Sequence, residues 1–308
     1  MATVLFASQY QRYDQWRPAL LELLPDLDLR QLEDIDDPAD VDILLVWTPP
    51  EETLQYPNLK LVQCLGAGVD HLVNLPIPTH VPLARLIDRS QVQGFVEYVT
   101  AAVLSWHRGF PQFAQAQLKH RWAPQPRVLA SQRKVGIMGL GEMGSPCAVQ
   151  LAHMGFAVRG WSRSPRSLDG VQTFAGEAGL SGFLQGLDVL ICVLPLTAST
   201  EGILDQTLFA QLAPGAYVIN VGRGAHCNEA DLCTALDSGQ LGGALLDVVS
   251  VEPLPQDHPL WSQQGLSLTP HIATSQIASS AAAVAAENIR RIRSGQQPLG
   301  QVDRSRSY

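Results

Sequence analysis

Charged residues make up only 16% of this 308-residue chain, and aromatic residues 6%. The net charge is −8, and Lys and Arg are scattered rather than clustered. That argues against a nucleic-acid partner and against binding to anionic membranes. The five cysteines contain no CxxC pair and are odd in number, so a disulfide framework is not expected, and buried thiols in a reducing compartment are the simple reading. No apolar run approaches the length of a membrane span. Met1 leads straight into TVLFAS with no basic segment before it, which reads as a strand rather than a leader. A cytoplasmic location is expected.

What is present is an alternation of strand-like and helix-like stretches, which predicts α/β architecture with parallel sheets. TVLFAS, VDILLVW, LKLVQCLG and VPLARL read as strands in the first part, and QWRPALLELLPDL has helical spacing. Residues 91–109 form a long, largely apolar helical pattern, followed by the irregular, Pro-containing KHRWAPQPRVLASQ. A second alternation starts at Lys134. Its strands are KVGIMGL, FAVRGW, DVLICVLPL, AYVINV, GALLDVV and LSLTP. Its helices are SPCAVQLAHMG, GLSGFLQGL, QTLFAQLAPG and EADLCTALDSGQ. This is a doubly wound pattern. An Ala-rich helix from about Ser275 to Arg293 then carries the chain back. We therefore expect a substrate domain of residues 1–94 plus 275–308 and a dinucleotide-binding domain of residues 95–274.

Gly139, Gly141 and Gly144 spell GxGxxG between a strand and a helix. In that context the first glycine permits the tight turn, the second lets backbone approach a pyrophosphate, and the third lets helix pack on sheet. Glu142 and Met143 belong to the same loop. The helix start, with Pro146 in its first turn, offers free N–H groups to an anion. An NAD-binding unit usually places Asp or Glu at the end of its second strand. Here that strand runs into Trp161, Ser162, Arg163, Ser164, Pro165 and Arg166, with no carboxylate. Arg163 and Arg166 suit a 2′-phosphate, with Ser162 and Ser164 as hydrogen-bond donors. NADP(H) is the expected cofactor and NAD(H) a weaker substitute.

Three polar residues follow three apolar runs near the end of the second alternation: Arg223 after AYVINV, Glu252 after GALLDVV and His271 after LSLTP. A guanidinium, a carboxylate and an imidazole at the carboxyl ends of parallel strands make a set for reducing a keto acid. Any one alone could be a surface charge or a cap. His226, Cys227 and Cys233 lie close in sequence, but their spacing fits no zinc pattern, and no metal is expected. His258, in a Pro-rich turn, reads as structural.

With these segments in view, the chain resembles the D-isomer-specific 2-hydroxyacid dehydrogenases, and within them the glyoxylate/hydroxypyruvate reductase A branch. LGAGVD at 65–70, GLGEMG at 139–144, NVGRG at 220–224, LLDVVSVEPLP at 245–255 and HPLW…TPHIA at 258–273 carry the family resemblance. VWTPP, WSRSPRS and the closing GQVDRSRSY carry the branch. The resemblance implies two doubly wound domains, a Rossmann unit and a discontinuous flavodoxin-like substrate unit. It implies that Arg223 pairs with the substrate carboxylate and polarises its carbonyl, that His271 is the general acid, and that Glu252 orients His271 and favours its imidazolium form. Backbone N–H groups of Ala67, Gly68 and Val69 would form a nest for the carboxylate. Asp247 would contact the nicotinamide carboxamide, and Leu194, Pro195, Leu196, Val221 and Gly222 would lie beside the cofactor. Trp47 ends a strand and reads equally as a pocket wall or as core. The implied reaction is NADPH-dependent reduction of glyoxylate and hydroxypyruvate by a homodimer. Two other readings stay open: a different 2-keto acid such as phenylpyruvate, and a dinucleotide-sensing protein like the corepressors that share this fold.

Overall fold

The computed structural model describes residues 2–274 and 276–304. It separates into two compact units, Met1–Gln91 with Ser275–Tyr308, and Val92–Thr274. The first unit holds strands β1 (Thr3–Ala7), β2 (Asp28–Arg30), β3 (Val41–Val46), β4 (Leu61–Cys64) and β5 (Leu83–Ala84), and helix α1 (Tyr13–Leu23). The strands pair in parallel in the order β2-β1-β3-β4-β5. That is the flavodoxin-like order. β1 is buried along its whole length and β3 along most of it, as expected for strands covered on both faces.

Helix α2 (Arg89–His107) begins where the second unit begins. The unit boundary falls at 91/92 because Phe95, Val99, Val103 and Trp106 already belong to the second unit's core. α3 (Phe110–Leu118) follows. The alternation then runs β6 (Lys134–Met138), α4 (Gly144–His153), β7 (Ala157–Ser162), β8 (Val171–Ala175), α5 (Gly176–Leu184) and β9 (Val189–Cys192). It continues through α6 (Gln206–Phe209), β10 (Ala216–Asn220), α7 (Glu229–Asp237), β11 (Leu241–Leu246) and β12 (Leu266–Leu268). All seven strands are parallel, in the order β12-β11-β10-β9-β6-β7-β8. Strand order reverses between β6 and β9, and the crevice at such a switch point is where this fold class binds ligands.

Besides the unit boundary at 91/92 rather than 94/95, the structure departs from the sequence expectations in its elements. β2 and the edge strand β8 carry no continuous apolar run, and their burial is only partial, so periodicity passes over them. α3 adds a helix where the arm was expected to be irregular. The QTLFAQLAPG helix shortens to Gln206–Phe209. Of the final helix, α8 spans Ala278–Arg293. Ser275, and the Ser305–Tyr308 end of the GQVDRSRSY segment, lie outside the described residues.

α8 belongs to the first unit. Its small face, Ala281, Ala282, Ala285 and Ala286 with Ile289, is fully buried among Val4, Phe6, Trp16 and Leu20. Alanine combines high helix propensity with a side chain short enough for close approach. Asn288, also fully buried, donates through Nδ2 to Gln63 Oε1 (2.6 Å) and to the Leu299 carbonyl (3.0 Å), and accepts from the Leu299 N–H (2.7 Å). It ties the C-terminal segment to β4. Replacing it leaves buried partners without hydrogen bonds. Asn288→Ala should lower the unfolding free energy in urea by about 2–3 kcal/mol, with turnover per folded molecule retained.

Candidate active site

The carboxyl edge of the seven-stranded sheet carries every candidate residue of the second unit. After β6 the chain turns at Gly139, whose φ of +106° is a left-handed-side value open to glycine. A Cβ on Gly139 would also meet the Val193 carbonyl at 2.6 Å, and one on Gly144 would meet the Gly139 carbonyl at 1.8 Å. By contrast, a Cβ on Gly141 would project into open space. The loop is thus closed toward the sheet at its first and third glycines and open at its middle one. α4 starts there with Met143 at its N-cap and no side chain capping it; in its first turn the Ser145 N–H donates to the Gly141 carbonyl at 3.0 Å and Pro146 has none, so the positive end of the helix faces the loop with few N–H groups to spare. Glu142 is exposed at the tip, and Met143 packs on the core. These residues fit a dinucleotide pyrophosphate.

β7 ends at Trp161 and Ser162. Trp161 Nε1 donates to the Gly176 carbonyl at 2.8 Å, anchoring the indole to the start of α5. Ser162 is buried and donates to the Ser164 carbonyl at 2.8 Å. This corrects the donor role expected of Ser162: its single hydroxyl hydrogen is spent inside the turn. Ser164, Arg163 and Arg166 are exposed on the turn that Ser162 shapes. This rim carries cationic side chains and no acid, which suits a phosphate at the adenosine end.

β10 delivers Arg223. Asn220 accepts from the Gly222 N–H (3.2 Å) and donates to the Arg223 carbonyl (2.9 Å), and the Arg223 Nη1 donates to the Gly222 carbonyl (2.9 Å). The ring of fully buried His226 completes the turn. Its Nδ1 accepts the Arg223 backbone N–H at 2.9 Å, which leaves the hydrogen on Nε2 to face the Pro195 carbonyl at 3.3 Å. Thr200 Oγ1 donates to that same carbonyl at 2.7 Å. His226 therefore joins the Arg223 turn to the loop Leu194-Pro195-Leu196. The sequence motifs pass over this role. A histidine three residues after the NVGRG arginine is the only local signal. Val221 is buried in the core, and Gly222 lies against the His226 ring.

β11 and β12 deliver Glu252 and His271. His271 Nδ1 lies 2.7 Å from Glu252 Oε2, and Glu252 Oε1 accepts the Val249 N–H at 3.1 Å. A carboxylate only accepts, so Nδ1 carries the hydrogen and Nε2 faces outward. The two side chains remain 41% and 37% exposed, enough for a substrate to reach Nε2. Glu229 holds the loop before Glu252 from α7, accepting from both Ser250 N–H and Ser250 Oγ at 2.8 Å, and it lies 3.8 Å from His258 Nε2. His258 caps the short turn at 259–262, a structural place.

His271 has φ +54°, a left-handed backbone that a non-glycine residue adopts at a cost of roughly 1–2 kcal/mol. Its N–H is bound by the carbonyls of Asp247 (2.8 Å) and Thr269 (3.0 Å). The Asp247 carboxylate, 2% exposed, accepts from the Ile272 N–H (2.8 Å), the Ala273 N–H (2.8 Å) and Thr269 Oγ1 (2.7 Å). Asp247 thus organises the His271 loop, a role the sequence reading did not assign to it. Cys192 and Cys227 are buried free thiols, pushed up by burial. Among the described residues no cluster of His, Cys, Asp and Glu could hold a metal.

In the first unit, Ala67, Gly68 and Val69 follow β4. Among the described residues none of their N–H groups is taken up by a backbone carbonyl. Trp47 follows β3. Its ring covers Gly66, where a Cβ would come within 2.1 Å of it, and packs on His71 at 4.4 Å between centroids.

The family model for "D-isomer specific 2-hydroxyacid dehydrogenase, NAD binding domain" matches residues 100–273. A glyoxylate/hydroxypyruvate reductase A from Klebsiella pneumoniae (strain 342) is 44% identical over 307 residues, covering 97% of this chain and 98% of the relative. The chain belongs to the D-isomer specific 2-hydroxyacid dehydrogenases. A dehydrogenase of this family from Xanthobacter autotrophicus Py2, solved in complex with NADPH and MES, matches with a TM-score of 0.96 at 42% identity, covering 100% of this chain and 99% of that one. The NADPH-dependent glyoxylate/hydroxypyruvate reductase from Sinorhizobium meliloti, in complex with NADP and sulfate, matches with a TM-score of 0.93 at 35% identity over 100% of both chains.

Within this dehydrogenase, Gly224 is the point where the Arg223 turn and the Glu252 loop come closest. A Cβ there would lie 1.9 Å from the Val249 carbonyl oxygen, so the Arg223 turn and the Glu252 loop touch backbone to backbone. Neither side can yield without moving a functional residue. Gly224→Ala should reduce kcat/KM for the keto acid at least tenfold, with far-ultraviolet circular dichroism unchanged. A wild-type rate would show that the two loops are not coupled.

Proposed function

We propose that this dehydrogenase reduces small 2-keto acids with NADPH: glyoxylate to glycolate, and hydroxypyruvate to D-glycerate. The observation that carries the chemistry is the 2.7 Å His271–Glu252 pair at the carboxyl edge, with the Arg223 turn on the neighbouring strand β10. A dinucleotide held along the Gly139–Gly144 loop would supply the hydride for C2 of the keto acid. Arg223 pairs with the substrate carboxylate and draws electron density from the carbonyl through its fork of donors. His271, held through Nδ1 by Glu252, gives its Nε2 proton to the carbonyl oxygen as C2 is reduced. The product is the 2-hydroxy acid, and His271 regains a proton from solvent. Ala67, Gly68 and Val69 act as further carboxylate donors.

The choice of NADPH is supported by Arg163 and Arg166 where an acid would otherwise stand, and by the ligands named for the two solved relatives. NAD(H) serves as the weaker substitute, lacking the phosphate that Arg163 and Arg166 hold. The small keto acids are supported by the names of the curated relatives. A homodimer is supported by the exposed apolar side chains on α3 and the arm after it: Phe110, Phe113, Leu118, Trp122 and Leu129. No described helix is long and apolar enough to cross a membrane, and the cytoplasm remains the proposed location.

His271→Ala and Arg223→Ala should each cut turnover of glyoxylate with NADPH by roughly 10²–10⁴-fold, the range for a lost proton donor or charge clamp. Near-normal rates in folded variants would remove the assignment. Arg163→Ala should raise the KM for NADPH about tenfold while leaving that for NADH nearly unchanged. An equal rise for both cofactors would remove the phosphate-binding role.

A further inference from the structure

The His271 loop is also held from α2, by a side chain that no motif marks. Phe95, Val99, Val103 and Trp106 form the buried stripe of α2, and Tyr98 lies beside that stripe, half-buried. The Tyr98 hydroxyl is 2.5 Å from Thr269 Oγ1. Thr269 Oγ1 in turn lies 2.7 Å from Asp247 Oδ1 and donates to it. A threonine hydroxyl has one hydrogen, and here it is on the carboxylate. Tyr98 is therefore the donor in the first link, and the chain runs in one direction, Tyr98 to Thr269 to Asp247. Burial, reinforced by the negative charge of Asp247, pushes the Tyr98 phenol up to about 12, so it keeps its hydrogen across the physiological range.

The far end of this chain is the backbone of the acid. Asp247 Oδ1 takes both the Thr269 hydroxyl and the Ile272 N–H, and Ile272 is the residue after His271. Thr269 contributes twice, since its carbonyl also accepts the His271 N–H at 3.0 Å. The left-handed backbone of His271 persists because these bonds over-determine it. Each hydrogen bond of such a network polarises the next, so an outer member affects the inner ones.

We propose that Tyr98 and Thr269 are positioning residues for His271: with Asp247 they hold residues 269–273 so that the imidazole presents Nε2 at a fixed place. The proposal rests on the assignment of His271 as proton donor. Neither residue touches a reacting atom. Their effect is geometric, and displacement of a proton donor by about an ångström costs up to ~10² in rate.

The test uses the full-length protein and the variants Tyr98→Phe, Thr269→Val and Thr269→Ser. Three quantities are read: the single-turnover rate of NADPH oxidation at saturating glyoxylate, the dissociation constant of NADPH by fluorescence without keto acid, and the melting temperature. Tyr98→Phe and Thr269→Val should slow single turnover roughly three- to tenfold, the worth of one network hydrogen bond, with NADPH affinity unchanged. Thr269→Ser keeps the hydroxyl and should restore the rate. The Tyr98→Phe/Thr269→Val double variant should be no slower than Thr269→Val alone, because both substitutions break one chain. A lowered melting temperature with a wild-type single-turnover rate would overturn the proposal and leave the chain a purely structural contact. His271→Ala serves as the separating control. If it turns over normally, the assignment of His271 fails. If it is inactive while Tyr98→Phe and Thr269→Val run at the wild-type rate, only the positioning role fails.

Discussion

A buried carboxylate, Asp247, accepts two backbone N–H groups and one hydroxyl from the loop that carries His271, and its carbonyl takes the His271 N–H. Burying a carboxylate costs several kcal/mol unless its oxygens are satisfied, and here the satisfying groups all come from that loop. The loop conformation and the solvation of Asp247 are thus one problem with one solution. The left-handed backbone at His271 is part of it, held in place by these bonds. Asp247 sets the backbone, and Glu252 then sets the ring through Nδ1. Two carboxylates divide the task of aiming one nitrogen.

The same economy governs the rest of the edge. Gly224 lets the Arg223 turn touch the Val249 carbonyl. His226 joins that turn to Pro195 with two ring nitrogens. Glu229 holds the Ser250 corner. The guanidinium, the carboxylate and the imidazole stand on loops bound to one another mainly through backbone groups, and those loops leave adjacent strands of one buried parallel sheet. Such a frame is preorganised. Little reorganisation is needed when charge develops on the substrate oxygen, which is where rigid donors gain most.

Much of this was legible in the residues. The parallel strands announce themselves as short apolar runs because both faces are covered, and β1, β3, β9 and β10 were read that way. The glycine loop was legible because its constraints are local: one positive φ and two close approaches within six residues. Arg223, Glu252 and His271 were legible as polar residues after apolar runs. What escaped is held by contacts far apart in sequence. Tyr98 and Thr269 are separated by 171 positions, so no spacing rule pairs them. His226 drew attention only as a possible metal ligand, and its bonds to Arg223 and Pro195 depend on how two loops meet. Ser162 was read as a phosphate donor because a serine after a strand offers a hydroxyl, whereas the turn consumes that hydroxyl locally. β2 and β8 escaped because edge strands need no continuous apolar run.

The central claim is that hydride passes to the keto carbon of a small 2-keto acid while His271 protonates the oxygen. The most direct measurement supplies glyoxylate with NADPH, and separately with NADH, carrying deuterium at both C4 positions of the nicotinamide, and follows the label by mass spectrometry. The account predicts glycolate carrying one deuterium at C2, formed faster with NADPH than with NADH. Unlabelled glycolate, or tight NADPH binding with no turnover of glyoxylate, hydroxypyruvate or larger 2-keto acids, would contradict it and favour a dinucleotide-sensing role for the same fold.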